Sequence, residues 1–87
     1  MNTTITTQTN FSALNATMSG LAKRDPKLKN LRAAVVARAV YQTMRGTRPN
    51  LMQLCKEMAG ENYTQTLYIT STIAYRKAMA ALNDKVS

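Results

Sequence analysis

Eight of the chain's lysines and arginines fall between residues 23 and 48, with a single carboxylate, Asp25, among them. Cations at that density can neutralise the phosphates of a polyanion, the interaction that supplies most non-specific affinity for nucleic acids. They are Lys23, Arg24, Lys27, Lys29, Arg32, Arg38, Arg45 and Arg48. Tyr41 lies among them and can stack on a base, or be covered by the guanidinium of Arg38 or Arg45. Arg76 and Lys77 form a smaller basic patch towards the C-terminus. Together these residues are the candidate site for nucleic acid or for an acidic protein surface.

The charge is informative because it is localised. Residues 1–22 carry no charged side chain, residues 23–48 carry a net +7, and residues 49–87 balance four cations against Glu57, Glu61 and Asp84. Nearly all of the net +8 therefore sits in one segment. Charge of one sign concentrated in this way creates a local potential that attracts an anionic partner. The plainer reading is a solvated surface, since charge runs on small soluble proteins commonly serve only solubility.

Other chemistries lack their residues. The chain has no histidine and one cysteine, so it offers neither the usual zinc ligands nor an internal disulfide. Glu57 and Glu61 are the one close carboxylate pair, without a third ligand or a base to work with. Cys55 falls on the apolar side of its segment, where a free thiol behaves as a small buried hydrophobe. No glycine-rich phosphate loop occurs. A non-enzymatic protein without metal or cofactor is expected.

The elements that must position the basic residues read as helices. Gly20, Gly46 and Gly60 each fall where a helix should stop, because glycine accepts the left-handed conformation past a last turn. Start signals follow each one. Asp25-Pro26 offers an N-cap and a proline for the first helical position, and Asn50 and Asn62 each precede a glutamine at capping-box spacing. The expectation is an all-α fold, a compact bundle of about four helices at 10–19, 26–45, 51–59 and 63–83, with a disordered Thr-rich tail over 1–9. Residues 10–87 then form a single domain.

Side-chain spacing supports this division. Phe11, Leu14, Met18 and Leu21 share one helical face, as do Leu51, Leu54, Cys55 and Met58. The run TQTLYITSTIAYR is rich in residues that favour strands, and Leu67, Ile69, Ser71, Ile73 and Tyr75 alternate. However, Leu67, Ala74, Tyr75, Ala78 and Leu82 form a broad helical stripe, and no second strand is available for pairing. Helix is the expectation for 63–83.

Within 26–45, a spacing of about 100° per residue groups Lys27, Arg38 and Arg45 in one narrow sector beside Ala34 and Tyr41. The remaining positions from Leu31 onward are mostly apolar, so this helix should be the hub of the bundle with one basic stripe left open. Lys23, Arg24, Lys27, Lys29 and Arg32 would surround its N-terminal end. That end is already electropositive, so the placement costs stability and suggests a functional demand.

Residues 51–59 and 63–83 also have the outline of a helix-turn-helix, with Thr64, Gln65, Tyr68, Arg76 and Lys77 on offer to DNA. Placing Gly60 at the turn leaves Lys56 where a small residue normally packs, and Glu61 and Thr66 where apolar residues do. The match is weak.

The N-terminus MNTTITTQTNF has no export signal, and no apolar run reaches membrane-spanning length. A cytoplasmic protein that does not insert in a membrane is expected, and its oligomeric state is left open, a homodimer included. The expected function is an accessory or regulatory factor that binds DNA or RNA. The rival is a protein-binding modulator or inhibitor that docks on an acidic surface of a larger enzyme.

Overall fold

Proline, and not glycine, ends the first helix. In a computed structural model that describes the backbone of residues 3–86 and the side chains of 12–83, α1 runs from Thr3 to Arg24 and passes through Gly20. An interior glycine costs a helix about 1 kcal/mol relative to alanine. Packing just beyond it opposes that cost, for Ala22 is buried in the core. The helix stops at Asp25, whose N–H still donates to Leu21 O at 2.9 Å. Pro26 disfavours a helical conformation for the residue before it and has no N–H of its own. Of the Thr-rich tail expected over 1–9, residues 1 and 2 and the side chains of the others lie outside the described residues, as does the side chain of Phe11.

α2 spans Leu28–Met44, and its N-cap is Lys27 instead of the expected Asp25. Asp25 acts through its backbone: its carbonyl accepts from Lys27 N–H at 2.8 Å and from Asn30 Nδ2 at 2.7 Å. Those two bonds hold the bend between α1 and α2, and Asn30 is buried within it. At the other end Gly46 turns the chain with φ 85°. Gly46 N–H donates to Thr43 O at 3.0 Å and Thr47 N–H to Gln42 O at 2.8 Å, the paired bonds of a Schellman stop.

α3 occupies Leu51–Ala59 as expected, with Gln53 N–H donating to the Asn50 side chain at 3.1 Å. The Gln53 side chain reaches forward to Glu57 at 3.0 Å, so only half of the capping box forms. Gly60, at φ 53°, ends α3 and opens a 3₁₀ turn over Gly60–Asn62. The cap of α4, Gln65–Val86, is then Thr64 and not Asn62: Leu67 N–H donates to Thr64 Oγ1 at 3.1 Å.

Burial along α4 has helical spacing. Leu67 and Ser71 are fully buried, whereas Ile69 and Ile73 are 47% and 49% exposed, so neighbours two apart in sequence face opposite ways and neighbours four apart agree. α2 packs against each of the other three helices. Its Leu31, Ala34, Val35 and Ala39 meet Ala22, Leu54, Cys55, Ala59 and Leu67 in one core. The small alanines allow close approach, and burial of the larger side chains contributes about 1.5–3 kcal/mol each relative to exposure.

A few polar groups cross this core. Thr43 and Tyr75 share a hydroxyl hydrogen bond of 2.7 Å between α2 and α4. Burial pushes the Cys55 thiol up in pKa, with the Ser71 hydroxyl opposing that shift. Ser71 Oγ itself lacks a partner of good hydrogen-bond geometry, so this neighbour offsets little of its desolvation.

Candidate functional site

The basic segment is divided by the fold into an entrance, a cleft and a groove. Lys23 and Arg24 form the last turn of α1. That reverses part of the sequence argument, because cations are favoured at a helix C-terminus. Only Lys27 and Lys29 crowd the N-terminus of α2, where there is no acidic residue in the first turn. Lys23, Arg24, Lys27 and Lys29 are all exposed. Lys27 Nζ lies 3.6 Å from the Asp25 carboxylate, the only ion pair among the described residues.

The stripe of Arg38, Tyr41 and Arg45 does not face open solvent along its length. α1 packs across the same sector of α2, so Ala34 beside it is fully buried and Arg38 half-buried. Of the sector read from spacing, Arg38, Tyr41 and Arg45 line one cleft, whereas Lys27, the N-cap outside the helix, does not, and spacing could not show which neighbouring helix would cover the stripe. Arg38 Nε donates to Asn15 Oδ1 on α1 at 3.1 Å. Arg45 Nη1 donates to Tyr41 Oη at 3.2 Å, and its guanidinium carbon lies 5.7 Å from the Tyr41 ring centre. Hydrogen bonding by Arg45 and then by Ser12 draws the Tyr41 phenol below the usual tyrosine pKa, against a smaller effect of burial.

These groups line a cleft of about 550 Å³ between α1 and α2, with Ser12, Asn15, Gln42 and Thr47 supplying uncharged polar atoms. Its two guanidinium groups face no carboxylate in the lining. Asn15 and Ser12, which complete the cleft, had no signal in the sequence beyond being polar residues on a helix.

Arg48 lies apart from that cleft. The reversal at Gly46 carries it to the side of α4, where it lines a groove with Tyr68, Tyr75 and Arg76. Arg32 is likewise separated and, with Lys29, edges an apolar trough floored by Ala33, Val36, Ala37 and Val40. Lys77 is exposed on α4 next to Arg76.

The burial pattern of α3 and α4 departs from that of a helix-turn-helix. Lys56, Glu61 and Thr66, the residues that mismatch, are all exposed, while Cys55, Ala59, Leu67 and Ser71 make the packing contacts in their place. Five residues, Gly60 to Thr64, separate the two helices, and Lys56 Nζ lies 5.6 Å from the Tyr63 ring centre across that turn.

Among the described residues no group of three or more His, Cys, Asp or Glu side chains could hold a metal ion. No helix of the described residues is long and apolar enough to cross a membrane. No family model, curated protein or solved structure matches this chain.

Proposed function

We propose that the protein binds nucleic acid, DNA or RNA, as a non-enzymatic accessory or regulatory factor. The observation that carries this reading is the cleft of Arg38, Tyr41 and Arg45. Two guanidinium groups are held in place by uncharged partners, Asn15 and Tyr41, and keep their full charge for an incoming anion. A cation neutralised by a carboxylate would lose most of its pull on phosphate. The exposed cations Lys23, Arg24, Lys27 and Lys29 add attraction without fixed geometry.

Fluorescence anisotropy of labelled oligonucleotides across a salt series tests this reading. Affinity is expected to fall steeply as salt rises. Failure to bind DNA or RNA at micromolar concentration in low salt would refute it.

One observation favours the second reading, docking on an acidic protein surface. The trough lined by Leu14, Met18, Ala33, Val36, Ala74 and Ala78 is apolar, with Lys29 and Arg32 at its edge. An acidic amphipathic surface would match both features. A partner retained after nuclease treatment, and lost on Arg32→Glu, would support this reading over the first.

A further inference from the structure

Arg48 and Arg76 are 28 positions apart in the sequence and line one groove in the fold. One wall is Arg48, Pro49 and the start of α3; the other is the Tyr68, Thr72, Tyr75 and Arg76 face of α4. The groove encloses about 550 Å³, and no carboxylate lines it. It brings two cations and two aromatic rings to the same surface, a combination that the α1–α2 cleft, with its single tyrosine, does not offer.

The two rings have a defined separation. Tyr68 and Tyr75 are seven residues apart on α4, which places them on one face about 10 Å apart along the axis. Both are half-buried against the core, and the Tyr75 hydroxyl is held by Thr43 at 2.7 Å. Thr72 lies between them and donates its hydroxyl to Tyr68 O at 2.8 Å. Tyr75 is thereby tied to α2, and the groove's lining is shared between apolar surface and the polar atoms of Arg48, Asn50, Thr72 and Arg76.

We propose that this groove binds a short stretch of single-stranded nucleic acid, with phosphates against Arg48 and Arg76 and unstacked bases against Tyr68 and Tyr75. The proposal rests on the nucleic-acid reading above and names the form of the ligand. Bases in a duplex are stacked about 3.4 Å apart and hidden from such rings, whereas a single strand can splay its bases onto aromatic side chains. The first three turns of α4 point the same way. Residues 65–75 contain no lysine or arginine, so the N-terminal half of the helix brings no side-chain charge to neutralise the phosphates of a duplex groove.

The test compares a labelled twelve-residue oligothymidine with a hairpin duplex of equal phosphate number, by anisotropy over a salt series. The single strand is expected to bind at least tenfold more tightly. Arg48→Ala with Arg76→Ala should weaken its binding roughly tenfold and make the log–log salt slope about 1.4 shallower, from about 0.7 per lost phosphate contact. Tyr68→Leu should weaken binding with the slope unchanged. The chain has no tryptophan, so its tyrosine emission can be followed directly and should be quenched on saturation with the single strand. Thr72→Glu places a carboxylate in the groove at a half-exposed position and should abolish the preference for single strands, even if Tyr68→Leu fails to fold. Equal affinity for the duplex, or groove variants that bind as the parent does while Arg38→Ala with Arg45→Ala weakens binding, would overturn this proposal and leave the broader one standing. Absence of binding to either oligonucleotide would overturn both.

Discussion

In the C-terminal half of α2 and at its cap, Arg38 and Arg45 are each tied to a neighbouring side chain, whereas around the bend that joins α1 to the N-terminal end of α2, Lys23, Arg24, Lys27 and Lys29 extend into solvent with one ion pair, Lys27 to Asp25. Similar charge is thus built in two ways. A long cationic side chain carries about 2 kcal/mol of rotamer entropy, and a side chain already held in place has less to lose when it meets a phosphate. The anchored end can supply geometry and affinity. The free end supplies a field that reaches about 8–10 Å at physiological salt.

The largest test of that contrast removes equal charge from the two ends. Arg38→Ala with Arg45→Ala is expected to weaken oligonucleotide binding about tenfold, while Lys23→Ala with Arg24→Ala weakens it only about threefold at the same salt. Both pairs should make the log–log salt slope shallower by about 1.4 for a single strand, because each removes two cations that neutralise phosphates. Equal losses of affinity in an anisotropy titration would mean that anchoring contributes nothing.

A second test asks what holds the entrance itself. Asn30→Ala removes the buried bond to the Asp25 carbonyl and should cost about 1 kcal/mol in urea unfolding. Asp25→Asn breaks the ion pair to Lys27, which is exposed, and should cost under about 0.5 kcal/mol. If the second change proved the more damaging, the bend would be held by charge and not by the buried amide.

Smaller effects probe the anchors at the other end. Asn15→Ala leaves every charge in place and frees Arg38, so oligonucleotide affinity should fall about twofold while the salt slope stays the same. A changed slope in that variant would show that Asn15 acts on more than the position of Arg38. Arg45→Ala should move the Tyr41 phenol back up towards the usual tyrosine value, since Arg45 is the largest cause of its lowering. The increase in tyrosinate absorbance near 295 nm on raising the pH would then come later in the variant than in the parent. An unchanged titration would place the Arg45 hydrogen bond outside the folded state in solution.

Much of the fold was visible in the sequence because local rules and tertiary packing agree. The Asn50 cap, the stops at Gly46 and Gly60 and the bounds of α3 all follow from short-range backbone chemistry. The rules failed at two helix ends. Gly20 reads as the stop of the first helix, but α1 continues through it to Arg24 with Ala22 buried, and stops before Pro26. Asn62 reads as the cap of α4, but it lies in the 3₁₀ turn and Thr64 takes that place.

By itself, the sequence determined the helical class, the position of α2 as hub and the concentration of positive charge between Lys23 and Arg48. Each depends on composition or on periodicity along one element, which the chain carries before it folds. The tertiary structure alone decided which helix covers which sector of α2. That choice closed the Arg38 stripe with Asn15, gave Lys23 and Arg24 to the favourable end of α1, and set Arg48 beside Arg76. The physical reason is that a helical sequence specifies the angles of its side chains around its own axis, while the crossing of two helices depends on how both surfaces interlock.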